Sequence, residues 1–168
     1  MPKFYITIGD NLSFTKMAHR CPTAVPVGTV VLKGFNLNFR GMPLLSDLTL
    51  DRDEKKSVTA GVWLINDEDE EVIDAHEGYP DIARKMLVKN AVITCFDGGI
   101  ITSDAFFYIV DMEWGIHTPS RSYVADCCKG YADFGLDPQP LIKASQRAAY
   151  TGLDNTEITT DTLKEAII

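Results

Sequence analysis

Glu77 is the residue in this sequence whose setting best suits proton transfer. It stands in IDAHEGYP, residues 73–80, at the end of an acidic run and directly before Gly78. A glycine that follows a helical pattern marks the C′ position, where positive φ is wanted. The pattern predicts Glu77 at a helix C-terminus, the negative end of the helix dipole. A carboxylate is destabilised there, and burial would raise its pKa. Those conditions suit one group acting as base and then as acid near neutral pH. A solvated glutamate beside a turn is the competing reading, and local sequence leaves both open.

A second stretch with chemical potential is Ile8-Gly9-Asp10-Asn11-Leu12. A strand ending in a Gly-containing turn can aim successive backbone N–H groups into one concavity, which binds anions or a developing oxyanion. An ordinary strand-to-helix turn with Asp10 or Asn11 as N-cap fits the same residues. Tyr123, shortly after Pro119 at the mouth of a predicted helix, reads either as a half-buried packing residue or as a ligand contact.

Other chemistries find less support. His19, His76 and His117 are scattered, with no HxxxH or HExxH spacing. The acidic run Asp67–Glu71 lacks the alternating ligands and glycine of an EF-hand and reads as a solvated first helical turn. No GxSxG is present, and Cys127 and Cys128 fall where helix packing is expected.

The elements that must position these residues can be read in order. Phe4–Ile8 reads as a strand, and residues 13–20 as two helical turns. Thr23–Leu32 is Val-rich, with Gly28 as a bulge or close-packing point. Phe35–Phe39 alternates as a half-buried strand, Leu44–Leu50 is a weaker strand, and Ser57–Ile65 a stronger one. Asn66 can cap a helix through residues 67–77, with Val72, Ile73 and Ala75 as its buried face. Lys85–Phe96 and Ile100–Val110 form a hairpin around Asp97-Gly98-Gly99. Residues 113–120 read as loop, Arg121–Phe134 as a helix stopped by Gly135, Pro138–Tyr150 as a second helix and Thr160–Ile168 as a short terminal one. Strands in the first two thirds and helices in the last third predict an α+β domain with a mostly antiparallel, curved sheet.

Length and charge narrow the partners. The 168 residues fit a single domain, 1–168, with a substantial core. Twenty-four acidic residues against 16 basic ones give a net charge of -8. That argues against nucleic acid or an anionic membrane as partner. No stretch approaches the ~18 consecutive apolar residues of a membrane span. Cys21, Cys95, Cys127 and Cys128 form no CxxC, and four free thiols in a reducing cytoplasm are expected.

Taken together, these pieces resemble the γ-glutamylcyclotransferase family, with its AIG2-like and BtrG-like relatives. The family's opening strand runs into YGSN followed by Leu or Met; here residues 5–12 read YITIGDNL. Its Arg-x-Pro element is similar to Arg20-Cys21-Pro22, and its Gly-x-hydrophobic and FxLxF strands to Val27–Leu32 and Phe35–Phe39. A VWG-like strand corresponds to GVWLI at 61–65, and the LDxxEG hallmark to IDAHEG at 73–78. PSxxY before a helix ending in Gly-Leu corresponds to Pro119, Ser120, Tyr123 and Gly135-Leu136, and a late YTG to residues 150–152. The likeness runs in order over nearly the whole chain.

The resemblance implies an α+β, γ-glutamylcyclotransferase-like fold: a small, curved, barrel-like mixed sheet flanked by helices. It implies Glu77 as catalytic acid/base, Ile8, Gly9, Asp10, Asn11 and Leu12 as the substrate-binding loop, and Tyr123 as a pocket residue. The implied reaction releases 5-oxoproline and a free amine from a γ-glutamyl amide or amine conjugate. It calls for no metal and no organic cofactor, and its partner is a small-molecule substrate. A non-enzymatic pocket that sequesters a small metabolite or nucleotide-like signal is the alternative. The chain departs from the family at Ile8 and Asp10, which replace Tyr and Ser, and at Ala83, where an aromatic is frequent. Asp10 therefore carries two expectations: facing the pocket it repels an anionic substrate, and facing outward it caps the next helix.

Overall fold

Residues 1–110 and 113–150 are described by a computed structural model. Five strands close into a barrel, and four helices pack around it. The strands are β1 (Lys3–Thr7), β2 (Val25–Met42), β3 (Leu45–Ile65), β4 (Ala83–Cys95) and β5 (Ile100–Val110). The helices are α1 (Phe14–Arg20), α2 (Asp67–Glu77), α3 (Arg121–Phe134) and α4 (Gln139–Arg147), with a 3₁₀ turn at Asp10–Leu12. The barrel order is β1-β3-β2-β4-β5, antiparallel throughout except where β5 meets β1 in parallel through Phe4–Ala105 and Tyr5–Phe106. The predicted α+β class and curved mixed sheet are both met.

The β2 and β3 strands are longer than the sequence pattern indicates, because each joins two predicted segments. Their register jumps from Lys33–Ser57 to Phe35–Arg52, so Gly34 alone opposes residues 53–56. Gly34 takes φ 84°, which glycine adopts without a Cβ penalty. The exposed Glu54, Lys55 and Lys56 sit in this irregularity, so the charged run does not end the strand. Beyond it the hairpin leaves the barrel, since β2 touches β4 only at Gly28–Val30. Gly28 is both bulge and close approach: a Cβ there would lie 2.0 Å from the Thr94 carbonyl oxygen.

Three tethers hold the outer hairpin. Arg40 donates Nε to Asp51 Oδ1 at 2.9 Å and Nη2 to Oδ2 at 2.8 Å, a bidentate pair. Arg147 at the end of α4 donates Nε to Asn38 Oδ1 at 2.7 Å. The segment before α3 is strapped to the hairpin tip by Gly41 N–H to Gly115 O and Leu44 N–H to Thr118 O, at 3.1 and 2.8 Å.

The α2 helix forms for local reasons visible in its ends. Asn66 accepts the Asp69 N–H while Asp69 accepts the Asn66 N–H, a reciprocal capping box. Acidic residues fill the first turn and Gly78, at φ 73°, ends the helix. Its buried face is Asp69 and Ile73, one turn apart. Val72 and Ala75, expected on that face, point to solvent, because the helix meets the barrel along a narrower stripe. The predicted terminal helix at 160–168 lies outside the described residues. Among those residues, no helix is long and apolar enough to cross a membrane.

Candidate functional site

The end of α2 and the β1–α1 loop meet over a small cavity. It measures about 90 Å³ and is lined by Ile8, Gly9, Asp10, Glu77 and Tyr123, together with residues that sequence reasoning did not single out. Those are chiefly Tyr5 and Thr7 on β1, Asp47 and Leu48 on β3, His76 on α2 and Tyr108 on β5. Pockets for drug-sized ligands run from about 300 Å³. This one takes the head of a ligand.

Glu77 is held from behind. Asn11 donates Nδ2 to the Tyr5 hydroxyl at 3.0 Å and to Glu77 Oε1 at 3.3 Å, and Tyr5 donates its hydroxyl to the same oxygen at 3.3 Å. Asn11 is fully buried and is itself fixed twice: Arg20 donates to its Oδ1, and Trp63 Nε1 donates to its backbone oxygen at 2.9 Å. The GVWLI strand thus anchors the loop through the indole.

Electrostatics raise the Glu77 carboxyl to about 7. Burial is the largest cause, the charges of Asp10 and Asp47 add to it, and His76 and the Tyr5 hydrogen bond oppose it. The sequence predicts this direction from a helix C-terminus together with burial, and burial is the largest of the causes found here. Asp10 behaves differently. Burial would raise its carboxyl, but His76 and Arg20 hold it below the usual range. Its oxygens lie 3.6 Å from His76 Nε2 and 3.6 Å from Arg20 Nη1. Asp47, on the exposed rim, is pushed upward by its partial removal from water and by Asp10, with solvent screening part of that effect. Burial keeps Tyr5 and Tyr123 protonated as hydroxyls.

The loop is sorted residue by residue. Ile8, Gly9 and Asp10 line the cavity. The turn closes through Leu12 N–H to Gly9 O and Ser13 N–H to Asp10 O, so the Gly9 and Asp10 amides are not consumed by it. Asn11 supports Glu77 instead of lining the cavity. Leu12, expected in the binding loop, is a packing residue: it is fully buried, and a Cβ on Gly61 or Gly130 would lie 2.4 or 2.3 Å from it. Neither Asp10 nor Asn11 caps α1; Ser13 does, accepting the Lys16 N–H at 3.3 Å. Asp10 therefore faces the cavity, but with the Arg20 guanidinium and the His76 imidazole already beside it. Tyr123 reaches the cavity from the first turn of α3, where Ser120 caps the helix by accepting the Tyr123 N–H. Ala83 is buried in the β4–β5 pairing and does not line the cavity.

The missed residues had no local signal. Tyr5 and Tyr108 look like ordinary strand aromatics; the barrel closure brings Tyr5 to Glu77 and Tyr108 to the same cavity. Asp47 and Leu48 arrive because the hairpin register sets Arg40 opposite Asp47. The four cysteines are free, and Cys127 and Cys128 are both buried in the α3 packing face. Among the described residues, no group of three or more His, Cys, Asp or Glu side chains is arranged to hold a metal ion.

No protein-family model matches the chain, and no curated protein matches it in sequence. Solved structures do match. One described as a gamma-glutamyl cyclotransferase superposes with a TM-score of 0.70 at 20% identity, over 99% of this chain and 98% of that one. An uncharacterized protein from Homo sapiens gives 0.68 at 21% identity over the same shares. YkqA from Bacillus subtilis gives 0.69 at 19% identity, over 88% of this chain and 54% of YkqA. The chain thus has the γ-glutamylcyclotransferase-like fold, as its motifs led one to expect.

Proposed function

We propose that this protein is a cyclotransferase-type enzyme that releases 5-oxoproline and a free amine from a γ-glutamyl amide or amine conjugate. The observation that carries the reading is Glu77: a carboxyl raised to about 7, facing a head-sized cavity and fixed by Asn11 and Tyr5. A general base that must return its proton works best with a pKa near the working pH. In this reading Glu77 takes a proton from the substrate's α-ammonium. The freed amine attacks the γ-carbonyl carbon, and the Gly9 and Asp10 amides receive the oxyanion. Glu77 then returns that proton to the leaving nitrogen as the C–N bond breaks, and the second proton shed by the attacking nitrogen also ends on the released amine, which leaves as an ammonium. Atoms balance without water. The nucleophile is tethered to its electrophile, and such proximity can supply up to ~7–11 kcal/mol.

A second reading has one observation in its favour. Arg20, the cationic group beside the loop, already faces Asp10, and the His76 imidazole lies against the same carboxylate. That arrangement leaves less positive field for a substrate carboxylate, as in a pocket that sequesters another small metabolite. Incubation with a panel of γ-glutamyl dipeptides and amines separates the two, with 5-oxoproline read by mass spectrometry. The cyclotransferase reading expects product from the native protein and a loss of ~10²–10⁴ in Glu77→Gln, the usual worth of a general acid/base. No 5-oxoproline from any conjugate would leave the sequestering pocket.

A further inference from the structure

A second concavity of about 220 Å³ adjoins the first. Its apolar walls are Met42 and Leu45 at the hairpin tip, Ile82 after α2, Val110 at the end of β5, and Trp114, with Arg40, Gly41 and Asp47 completing the lining. Leu45 is 73% exposed, Met42 53% and Ile82 52%, an unusual concentration of bare apolar surface beside a polar cavity.

Two contacts set the concavities side by side. Asp47 lines both. Ile82 packs on Gly78, the neighbour of Glu77: a Cβ on Gly78 would lie 2.9 Å from that of Ile82, and the Ile82 N–H bonds Gly78 O at 2.7 Å. One wall of the groove therefore packs against the residue next to Glu77, whose carboxyl faces the cavity. Its walls are also fixed. Arg40 Nη1 donates to the Trp114 carbonyl at 2.8 Å, and Ser46 Oγ to that of His117 at 2.7 Å. These join the backbone straps already described and hold the tip against the 114–118 segment.

Size and chemistry identify the occupant. The polar cavity has room for a ligand's head only, so whatever the head is joined to must leave past Asp47. The first surface it meets is this groove. We propose that the groove receives the amine half of the substrate, and that the preferred substrates are γ-glutamyl conjugates of amines with a large aliphatic or aromatic body. This rests on the cyclotransferase reading of Glu77.

The test compares γ-glutamyl-phenylalanine and γ-glutamyl-leucine with γ-glutamyl-glycine, by turnover on the native protein and by calorimetry on Glu77→Gln. The expected ratio of kcat/KM, apolar over glycine, is at least ~10, since a single methylene in an apolar pocket is worth ~10–200-fold. Leu45→Gln, at an exposed tip position, should bring that ratio toward one. A lesion of the fold would lower all substrates together and leave the ratio standing, as would Trp114→Ala if Trp114 only braces the tip. Equal kcat/KM across the series, or a ratio unchanged in Leu45→Gln, overturns the groove assignment while 5-oxoproline formation still supports Glu77. If no conjugate is turned over, calorimetry decides. An affinity gap that Leu45→Gln removes keeps the groove and ends the enzyme; no gap ends both.

Discussion

The Tyr123 hydroxyl stands where a side chain on Gly9 would begin, 2.7 Å from the position of a Cβ. The same hydroxyl accepts the Leu48 N–H at 3.0 Å, so it cannot swing away without leaving that donor unpaired. Gly9 is thus required by close approach, and α3 closes the cavity onto the loop and onto β3 at one point. Gly9→Ala should destabilise the fold by ~1–3 kcal/mol, the usual range for overpacking. Adding Tyr123→Phe removes the clashing oxygen. The double variant should lose less than the sum of the two single variants, by ~0.5–3 kcal/mol in urea unfolding. Strict additivity would mean that the two residues do not meet.

Glu77 should lower stability at alkaline pH. Its ordinary value is 4.5 and the fold raises it to about 7, so between those pH values the native state binds the extra proton. The contribution is fully present below 4.5 and is lost as pH rises through about 7. Above that, ionised Glu77 costs up to about 3 kcal/mol, less whatever solvent reaching its accessible edge recovers. Glu77→Gln keeps an acceptor for Tyr5 and Asn11 without the charge. Its stability relative to the native protein should therefore grow from pH 5 to pH 8 in urea titrations. A gap that stays constant across that range would mean the carboxyl titrates normally.

Two isosteric exchanges should move the Glu77 titration in opposite directions. Asp10 raises it, so Asp10→Asn should shift it toward acid. Asn11 donates to Glu77 at 3.3 Å, so Asn11→Asp replaces a donor by a like charge and should shift it toward alkali. Carbon-detected NMR of the Glu77 carboxyl reads both without relying on turnover. The acid limb of kcat/KM should follow. Shifts of the same sign would show that neighbouring charge does not govern this group.

Gly130 tests how α3 is seated. In a helix interior Gly→Ala ordinarily stabilises by roughly 1 kcal/mol. Here the added carbon would lie 2.3 Å from Leu12 Cβ and 2.7 Å from both Leu12 C and Ser13 N, and backbone does not yield as a side-chain end does. Gly130→Ala should be destabilising by ~1–3 kcal/mol and should loosen the loop that carries Gly9 and Asp10. A rise in Tm would mean that α3 does not rest on the loop.

Helix ends and tight turns were legible because their chemistry is local. Asn66, Gly78, Gly135 and the Asp97–Gly99 hairpin each act through bonds to residues a few positions away. The same holds for Glu77 beside its glycine. The long strands were not legible. Residues 53–56 look like a loop from composition, and only the hairpin's departure from the barrel lets a charged run continue between paired segments. Tyr5, Tyr108 and Asp47 were missed for a related reason: pairing register and barrel closure place them, and neither leaves a mark on neighbouring residues. Leu12 belongs to the loop that the family motif marks as binding substrate, whereas the notch between Gly61 and Gly130 takes it into the core.

The parallel seam between β1 and β5 has a temporal meaning. Only two residue pairs form it, and about a hundred positions separate the partners. During synthesis, β1 can zip onto β3 once residue 65 has emerged, but its other edge stays bare until Phe106 follows. Tyr5, which holds Glu77, lies on that bare edge. A nascent chain between these lengths is an open sheet with an unpaired template strand, the kind of surface on which chains associate wrongly. Tyr123 emerges later still. Chains released before α3 would therefore be sticky and would lack the Tyr123 wall of the cavity, and contacts of such long sequence separation also predict slow refolding of the full chain.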